Sequence, residues 1–123
     1  LLTKWDRCSA PISRSPFINP EQMILHTQLI YIKEGAESVF DQFEAVAMPL
    51  ISKHKGRVLF RMRTANAEMI EASIPKPYEI HLVEFEREED LQLFMDDEER
   101  KKFLHLKEQA IQSVILIKEE KIN

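Results

Sequence analysis

We predict an α+β fold in which a four-stranded antiparallel sheet carries two helical regions on one of its faces. Four segments rich in Ile, Leu, Val, Phe and Tyr are typical of strands. Two longer regions repeat apolar residues at three- and four-residue intervals, as amphipathic helices do. The chain has 123 residues, a length that favours a single domain.

The first strand and the first helix are predicted from the N-terminal half of the chain. Met23–Lys33 lacks Gly and Pro and is apolar on both alternating faces, which is typical of a strand covered on both sides. Gly35 ends this strand. The apolar positions of the following helix are Val39, Phe40, Phe43, Val46, Ala47, Leu50 and Ile51, and its polar face carries Glu37, Asp41 and Glu44. Gly56 is predicted to stop the helix in the left-handed conformation.

The second half of the chain supplies three more strands and a second helical region. Alternation over Arg57–Arg63 predicts that Val58, Phe60 and Met62 face the helices and that the arginines face away. The other predicted elements are a weak strand or hairpin arm at Ala67–Ala72, a strand at Tyr78–Glu86, helix over Glu88–Gln109 with an interruption at Asp96–Glu99, and a strand at Ser113–Lys118.

Domain boundaries follow from composition. Residues 1–22 contain three prolines and several serines and are predicted to form an irregular N-terminal extension. Residues 23–118 form the predicted folded domain, and residues 119–123 a polar C-terminal tail.

The order β-α-β-(arm)-β-α-β is that of the ferredoxin-like split arrangement. Two helices can cover one face of a four-stranded sheet, yet the strands are apolar on both faces. A large exposed apolar face is not tolerated in a monomer, so a second copy of the chain is the expected cover. We therefore predict a homodimer in which two sheets face each other as an α/β barrel.

Composition excludes several classes of function. A net charge of −4 and a pI near 5.6 argue against a nucleic-acid or anionic-membrane partner. Cys8 is the single cysteine, which excludes an intrachain disulfide and predicts a reducing, cytoplasmic setting. No segment reaches the length of a membrane span. With Gly35 and Gly56 as the two glycines, no Gly-rich phosphate loop can form, and no cofactor is predicted.

The chain resembles the family called domain of unknown function 1330, a member of the dimeric α/β barrel superfamily. The resemblance is carried by "PLISKHKGR", "VEF" before an acidic helix start, "FMDDEER" and "LKEQA", and it covers about Leu25 to Lys118. It implies the fold and the dimer, but no catalytic residues, because the family has no established reaction. The family usually has arginine where this chain has Lys107, and Lys is not an equal replacement if that position binds a ligand or a buried carboxylate.

The candidate ligand-binding residues are Arg61, Glu84 and Tyr31. Alternation places Arg61 and Glu84 together on the sheet face that the dimer covers, where a charge needs a partner. The pair is either a structural ion pair or a subsite for an anion or carboxylate. Tyr31 offers a polar tip to the same pocket.

The candidate catalytic residues are His26, His81 and Tyr78, which lie on predicted strands. No pair of histidines has metal-ligand spacing, so no metal is predicted. His54 is interpreted as a helix-end residue, and the charged runs "EREED" and "DDEERKK" as solvated helix faces. Three functions stay open: binding of a small organic molecule between the sheets, a cofactor-free monooxygenase or isomerase, and a structural or regulatory dimer without catalysis.

Overall fold

The computed structural model describes residues 23–121, which form one antiparallel sheet with helices on one side. The elements are β1 Met23–Ile32, α1 Glu37–Lys53, β2 Gly56–Arg63, β3 Glu79–Phe85, α2 Glu88–Met95, α3 Glu98–Lys102, α4 Leu104–Ala110 and β4 Ile111–Lys121. The sheet order is β2-β3-β1-β4 and every neighbouring pair is antiparallel. This is the predicted α+β arrangement.

Two predicted segments differ from the structure. Residues 67–72 form no strand and belong to an irregular connection between β2 and β3. Strand β4 begins earlier than predicted and continues to Lys121, so residues 119–121 pair with β1 and are not a free tail. The predicted extension, residues 1–22 with Cys8, and residues 122–123 lie outside the described residues.

The second helical region is interrupted where the sequence predicted it. Asp97 caps α3, because its Oδ1 accepts hydrogen bonds from the backbone N–H groups of Glu99 (2.8 Å) and Arg100 (3.2 Å). A further break at Phe103 separates α3 from α4. The short α3 therefore has a fixed orientation, with Arg100 turned into the interior.

The turn between α1 and β2 corrects the role given to Gly56. Lys55, with φ of 64°, is the residue in the left-handed region. Gly56 is needed for a different reason: a Cβ at this position would lie 2.6 Å from Phe85 and 2.7 Å from Ile51. The close approach of the backbone to these two buried side chains requires glycine.

A β-bulge in β2 reverses the predicted facing of most of this strand. Val58 pairs with Val83, but the next partner of β3, Leu82, pairs with Phe60 rather than Leu59. The extra residue moves Phe60 and Met62 to the face away from the helices and brings Arg61 and Arg63 under them. The prediction that Phe60 and Met62 face the helices was therefore wrong.

The core lies between the helices and the sheet in two clusters. One contains Ile24, Ile51, Val83, Phe85 and Leu91, and the other Ile30, Ala36, Phe40 and Ala110. His81, Val83 and Phe85 share the helix side of β3, as predicted. Among the described residues, none of the helices has the length and apolar character needed to cross a membrane.

The face of the sheet away from the helices, which we call the open face, is apolar. Phe60, Leu82, Thr27 and Ile117 form one row across the four strands, and Met62, Ile80, Leu29 and Ile115 the next. Phe60 and Ile117 keep 45% and 47% of their surface exposed. This is the unpartnered face that the sequence predicted.

Candidate functional site

A cavity of about 310 Å³ lies between the helices and the sheet. Its apolar lining consists of Ile30, Phe40, Phe43, Ala47, Met48, Ile51, Val83, Phe85, Phe94, Met95, Ile111, Val114 and Leu116, and its polar lining of His26, Gln28, Glu44, His81, Arg100 and Lys107. The cavity is on the helix side of the sheet. The sequence had placed a ligand on the opposite face, between two subunits.

A buried ion-pair network forms one wall of this cavity. Glu44 on α1, together with Glu79 and His81 on β3, is almost fully buried. The His81 Nε2 lies against Glu79 Oε2 and 3.1 Å from Glu44 Oε2. Arg61 donates to Glu44 and lies 3.4 Å from Glu79, while Arg63 donates to Glu79 through its Nε. The β2 bulge brings both arginines to these carboxylates.

The network fixes the charge of its members. Burial disfavours the charged imidazole of His81, but the hydrogen bonds to Glu44 and Glu79 outweigh it and raise the pKa of His81 above 6.5. Burial also opposes ionisation of Glu79, yet the bonds from His81 and Arg63 hold its pKa well below the usual range. For Glu44, burial dominates and raises the pKa. These shifts favour the protonated imidazole of His81 and the ionised carboxylate of Glu79.

Three of these residues have the composition of a metal site. Ligand atoms of Glu44, Glu79 and His81 lie within 4.8 Å of one another. However, each of the four carboxylate oxygens already lies against a cationic nitrogen of Arg61, Arg63 or His81. A metal ion would have to displace these partners, so we interpret the group as an ion-pair network.

His26 lies on the same side of the sheet as His81 but has the opposite electrostatic environment. Its register partner on β3 is Val83, which makes His26 and His81 diagonal neighbours, about 7–8 Å apart in such pairs. Burial, together with the charge of Lys118, lowers the pKa of His26 below 6.5. The cavity therefore contains two imidazoles whose pKa values are shifted in opposite directions, His26 toward the neutral form and His81 toward the protonated form.

Two cations lie elsewhere in the cavity wall. Arg100 on α3 is 6% exposed, and its guanidinium stacks over Phe94 at 5.1 Å from the ring centroid. Lys107 on α4 is half-buried. Burial lowers the pKa of both groups, and the charge of Arg100 lowers that of Lys107 further.

The predicted pairing of Arg61 with Glu84 was wrong. Arg61 lies under the helices with Glu44, whereas Glu84 lies on the open face and accepts a hydrogen bond from Arg57 (2.8 Å). The facing of Arg61 is reversed by the β-bulge at Leu59, which no pattern in the sequence of this strand predicted. Glu84 and Tyr31 do not line the cavity, although Arg61 supports one of its walls through Glu44.

The two candidate tyrosines lie outside the cavity as well. The Tyr31 hydroxyl donates to the carbonyl of Pro75 (2.7 Å). Tyr78 packs edge-on against Phe40, and the Arg63 guanidinium lies 4.7 Å from its ring centroid. Of the three candidate catalytic residues, the structure brings His26 and His81 to the cavity.

Sequence reasoning missed the two buried carboxylates, although both had a signal. Glu44 was assigned to the polar face of α1, but it follows Phe40 by four residues and precedes Ala47 by three, which places it on the apolar stripe. Glu79 has the same strand parity as His81.

The charged run "DDEERKK" is not a fully solvated face, because Asp97 and Arg100 are buried. The Asp97 carboxylate accepts from His54 Nε2 (2.7 Å) and Lys53 Nζ (2.9 Å), and these two bonds hold its pKa well below the usual range. His54 thus joins the end of α1 to the start of α3. The capping role of Asp97 explains why this run turns inward.

Comparison with known proteins supports the fold. No family model and no curated protein matches this chain. A protein of unknown function from Rhodopseudomonas palustris superposes with a TM-score of 0.71 at 11% identity, over 84% of this chain and 85% of that one. A DABB family protein with a ferredoxin-like fold from Mesorhizobium loti gives 0.62 at 15% identity, over 84% and 100%. A dimeric ferredoxin-like protein of unknown function from Thermobifida fusca gives 0.61 at 7% identity, over 87% and 98%. The chain therefore has the ferredoxin-like fold, in a form shared with proteins described as dimeric.

Proposed function

We propose that this protein is a homodimer in which each subunit binds a small organic molecule in the cavity between its helices and its sheet. The observation that carries the binding proposal is the cavity itself, with a mainly apolar wall and a few polar groups on it. Its volume of about 310 Å³ is at the lower end of the range for ligand pockets. A single-ring or short aliphatic molecule is therefore the expected size of ligand.

Indole, a small neutral apolar probe, is expected to bind in this cavity. The buried side chain of Ala47 lines it, so Ala47→Leu should fill part of the volume and remove binding. Ala45→Leu places the same side chain on an exposed position of α1 and should leave binding unchanged. The measurement is a titration followed by ¹H–¹⁵N chemical shifts, with circular dichroism as the folding control. If indole changes the chemical shift of no cavity residue in the wild-type protein, the result favours a structural dimer that binds no ligand.

A second candidate function is acid–base catalysis, as in a cofactor-free isomerase or monooxygenase. The specific observation is the pair His26 and His81, which line one cavity with opposite pKa shifts. Two titratable groups pushed apart in this way are suited to act as base and acid toward one substrate. In this assignment, His26 accepts a proton and His81, oriented by Glu79, donates one.

An NMR titration of ¹⁵N-histidine tests the two protonation states. We expect the imidazole of His26 to lose its proton below the ordinary value of 6.5 and that of His81 to keep it above 6.5. His26→Gln and His81→Gln assign the two signals. The reverse order of titration would exclude the proposed acid and base.

We also propose, from the sequence motifs, that the chain is related to the family called domain of unknown function 1330. We also propose a cytoplasmic location, since a chain with one cysteine suits a reducing compartment.

A further inference from the structure

Arg100 is a buried cation that forms no salt bridge among residues 23–121, although the charges of Asp96 and Asp97 act on it from farther away. Its NH1 donates to the backbone carbonyl of Met95 (3.2 Å), and the guanidinium lies 5.1 Å from the ring centroid of Phe94 and 5.9 Å from that of Phe43. Within the described range, its Nε has no hydrogen-bond partner. A buried donor left unpaired is unfavourable, and more so when the group is charged. A ligand with a hydrogen-bond acceptor would supply the partner that the Nε–H group of Arg100 lacks.

Lys107 adds a second positive charge to the same cavity. It lines the wall together with Arg100, and in the part of the chain that the structure describes it forms no salt bridge. Burial and then the charge of Arg100 lower the pKa of Lys107, while Glu108 opposes this shift. Two cations near each other in a desolvated wall are unfavourable unless an anion lies between or beside them.

The anionic group in the cavity wall does not serve this purpose. Glu44 is committed to Arg61 and His81 through both of its carboxylate oxygens. Asp96 and Asp97 favour the charged form of Arg100, and Glu108 that of Lys107, but none of these three carboxylates lines the cavity. The positive groups on the cavity wall that have no carboxylate beside them on that wall are therefore Arg100 and Lys107. The rest of the lining is mainly aliphatic and aromatic.

We propose that Arg100 and Lys107 form an anion subsite, and that the ligand of the cavity is a small monocarboxylate with an apolar body. The carboxylate accepts from the Arg100 guanidinium and the Lys107 ammonium, while the apolar body lies against the phenylalanines of the wall. This inference rests on the proposed binding function and specifies its ligand class.

The test compares benzoate with benzamide, which has nearly the same shape but no charge. Hydrogen bonds to charged groups predict that wild-type protein binds benzoate about 10-fold or more tightly than benzamide. Lys107→Met should reduce this preference several-fold, and Arg100→Met should abolish it. Lys101→Met, on an exposed position of the same helix as Arg100, should preserve it.

Indole binding, measured on every variant, distinguishes a failure of the anion subsite from a failure of ligand binding in the cavity. If Lys107→Met still binds indole but its benzoate preference falls several-fold, the subsite is supported independently of folding, even where Arg100→Met does not fold. If Lys107→Met keeps the full preference, Lys107 is not part of an anion subsite and the proposal is overturned. If wild-type protein binds indole but binds benzoate no more tightly than benzamide, the anion subsite is overturned and the cavity proposal stands. If indole does not bind either, the proposed function and this inference fall together.

Discussion

Replacing Glu79 with Gln is expected to destabilise the protein by about 3–5 kcal/mol, the usual cost of removing one partner from a buried ion pair. The Glu79 side chain is 2% exposed and is bonded to His81 and Arg63. Gln has the same shape but no charge, so His81 keeps Glu44 (3.1 Å) and Arg63 keeps Asp41 (2.7 Å), but the buried network loses one of its two carboxylates. Urea unfolding followed by circular dichroism gives the difference in free energy.

Glu68→Gln is the matched control, because Glu68 is exposed in the connection between β2 and β3 and should change stability by less than about 0.5 kcal/mol. The effect of Glu79→Gln should also depend on pH. Glu79 has a lowered pKa, so its contribution is present above 4.5 and lost as the pH falls. His81 has a raised pKa, so its contribution is present below 6.5 and lost as the pH rises through its folded value.

The difference in the free energy of unfolding between wild type and Glu79→Gln should accordingly be largest between pH 4.5 and 6.5. A difference below about 1 kcal/mol, or one that stays constant from pH 4 to 9, would show that the network does not carry the buried charges as described. Such a result would also remove the reason to treat His81 as a proton donor.

The fold was predictable from the sequence because its strands and helices have clear periodicity. β1 and β3 are apolar on both faces, and α1 has an apolar stripe at helical spacing. These patterns depend on neighbours close in the chain, so they survive any error in how strands pair. The open face was predictable because two helical regions cover one face of the sheet, whereas the strands have apolar residues on both faces.

The site was less predictable, because it depends on how separate segments are brought together. One extra residue at Leu59 shifted the facing of Arg61 and Arg63, and a shift of one residue exchanges the two faces of a strand. The buried position of Arg100 depends on the cap formed by Asp97, which in turn is held by the distant end of α1. Alternation within one strand carries no information about either event.

Phe60→Glu is expected to convert the proposed homodimer into a monomer at micromolar concentration. Phe60 lies on the open face in a row with Leu82, Thr27 and Ile117, and nearly half of its surface is exposed in one subunit. If a second copy covers this face, the substitution puts an unpaired carboxylate into the interface. Light scattering coupled to size-exclusion chromatography reports the mass directly.

The two-fold symmetry of the proposed dimer increases the destabilising effect of Phe60→Glu. In a two-fold interface the same patch occurs on both subunits, so one substitution introduces two buried charges. A total cost of at least about 3 kcal/mol weakens the dimer by more than about 100-fold. Because Phe60 is exposed in the isolated subunit, its replacement should leave the thermal unfolding of the monomer nearly unchanged.

Leu93→Glu is the matched control for this experiment. Leu93 is 55% exposed on α2, on the helix side of the sheet, and its replacement should leave a dimer intact. A dimer that persists in Phe60→Glu but dissociates in Leu93→Glu would place the interface on the helices instead. A wild-type protein that is monomeric at micromolar concentration would overturn the homodimer and require another cover for the open face. The apolar rows on that face favour the second copy, because all four strands contribute residues to them and two sheets of this kind can pack face to face.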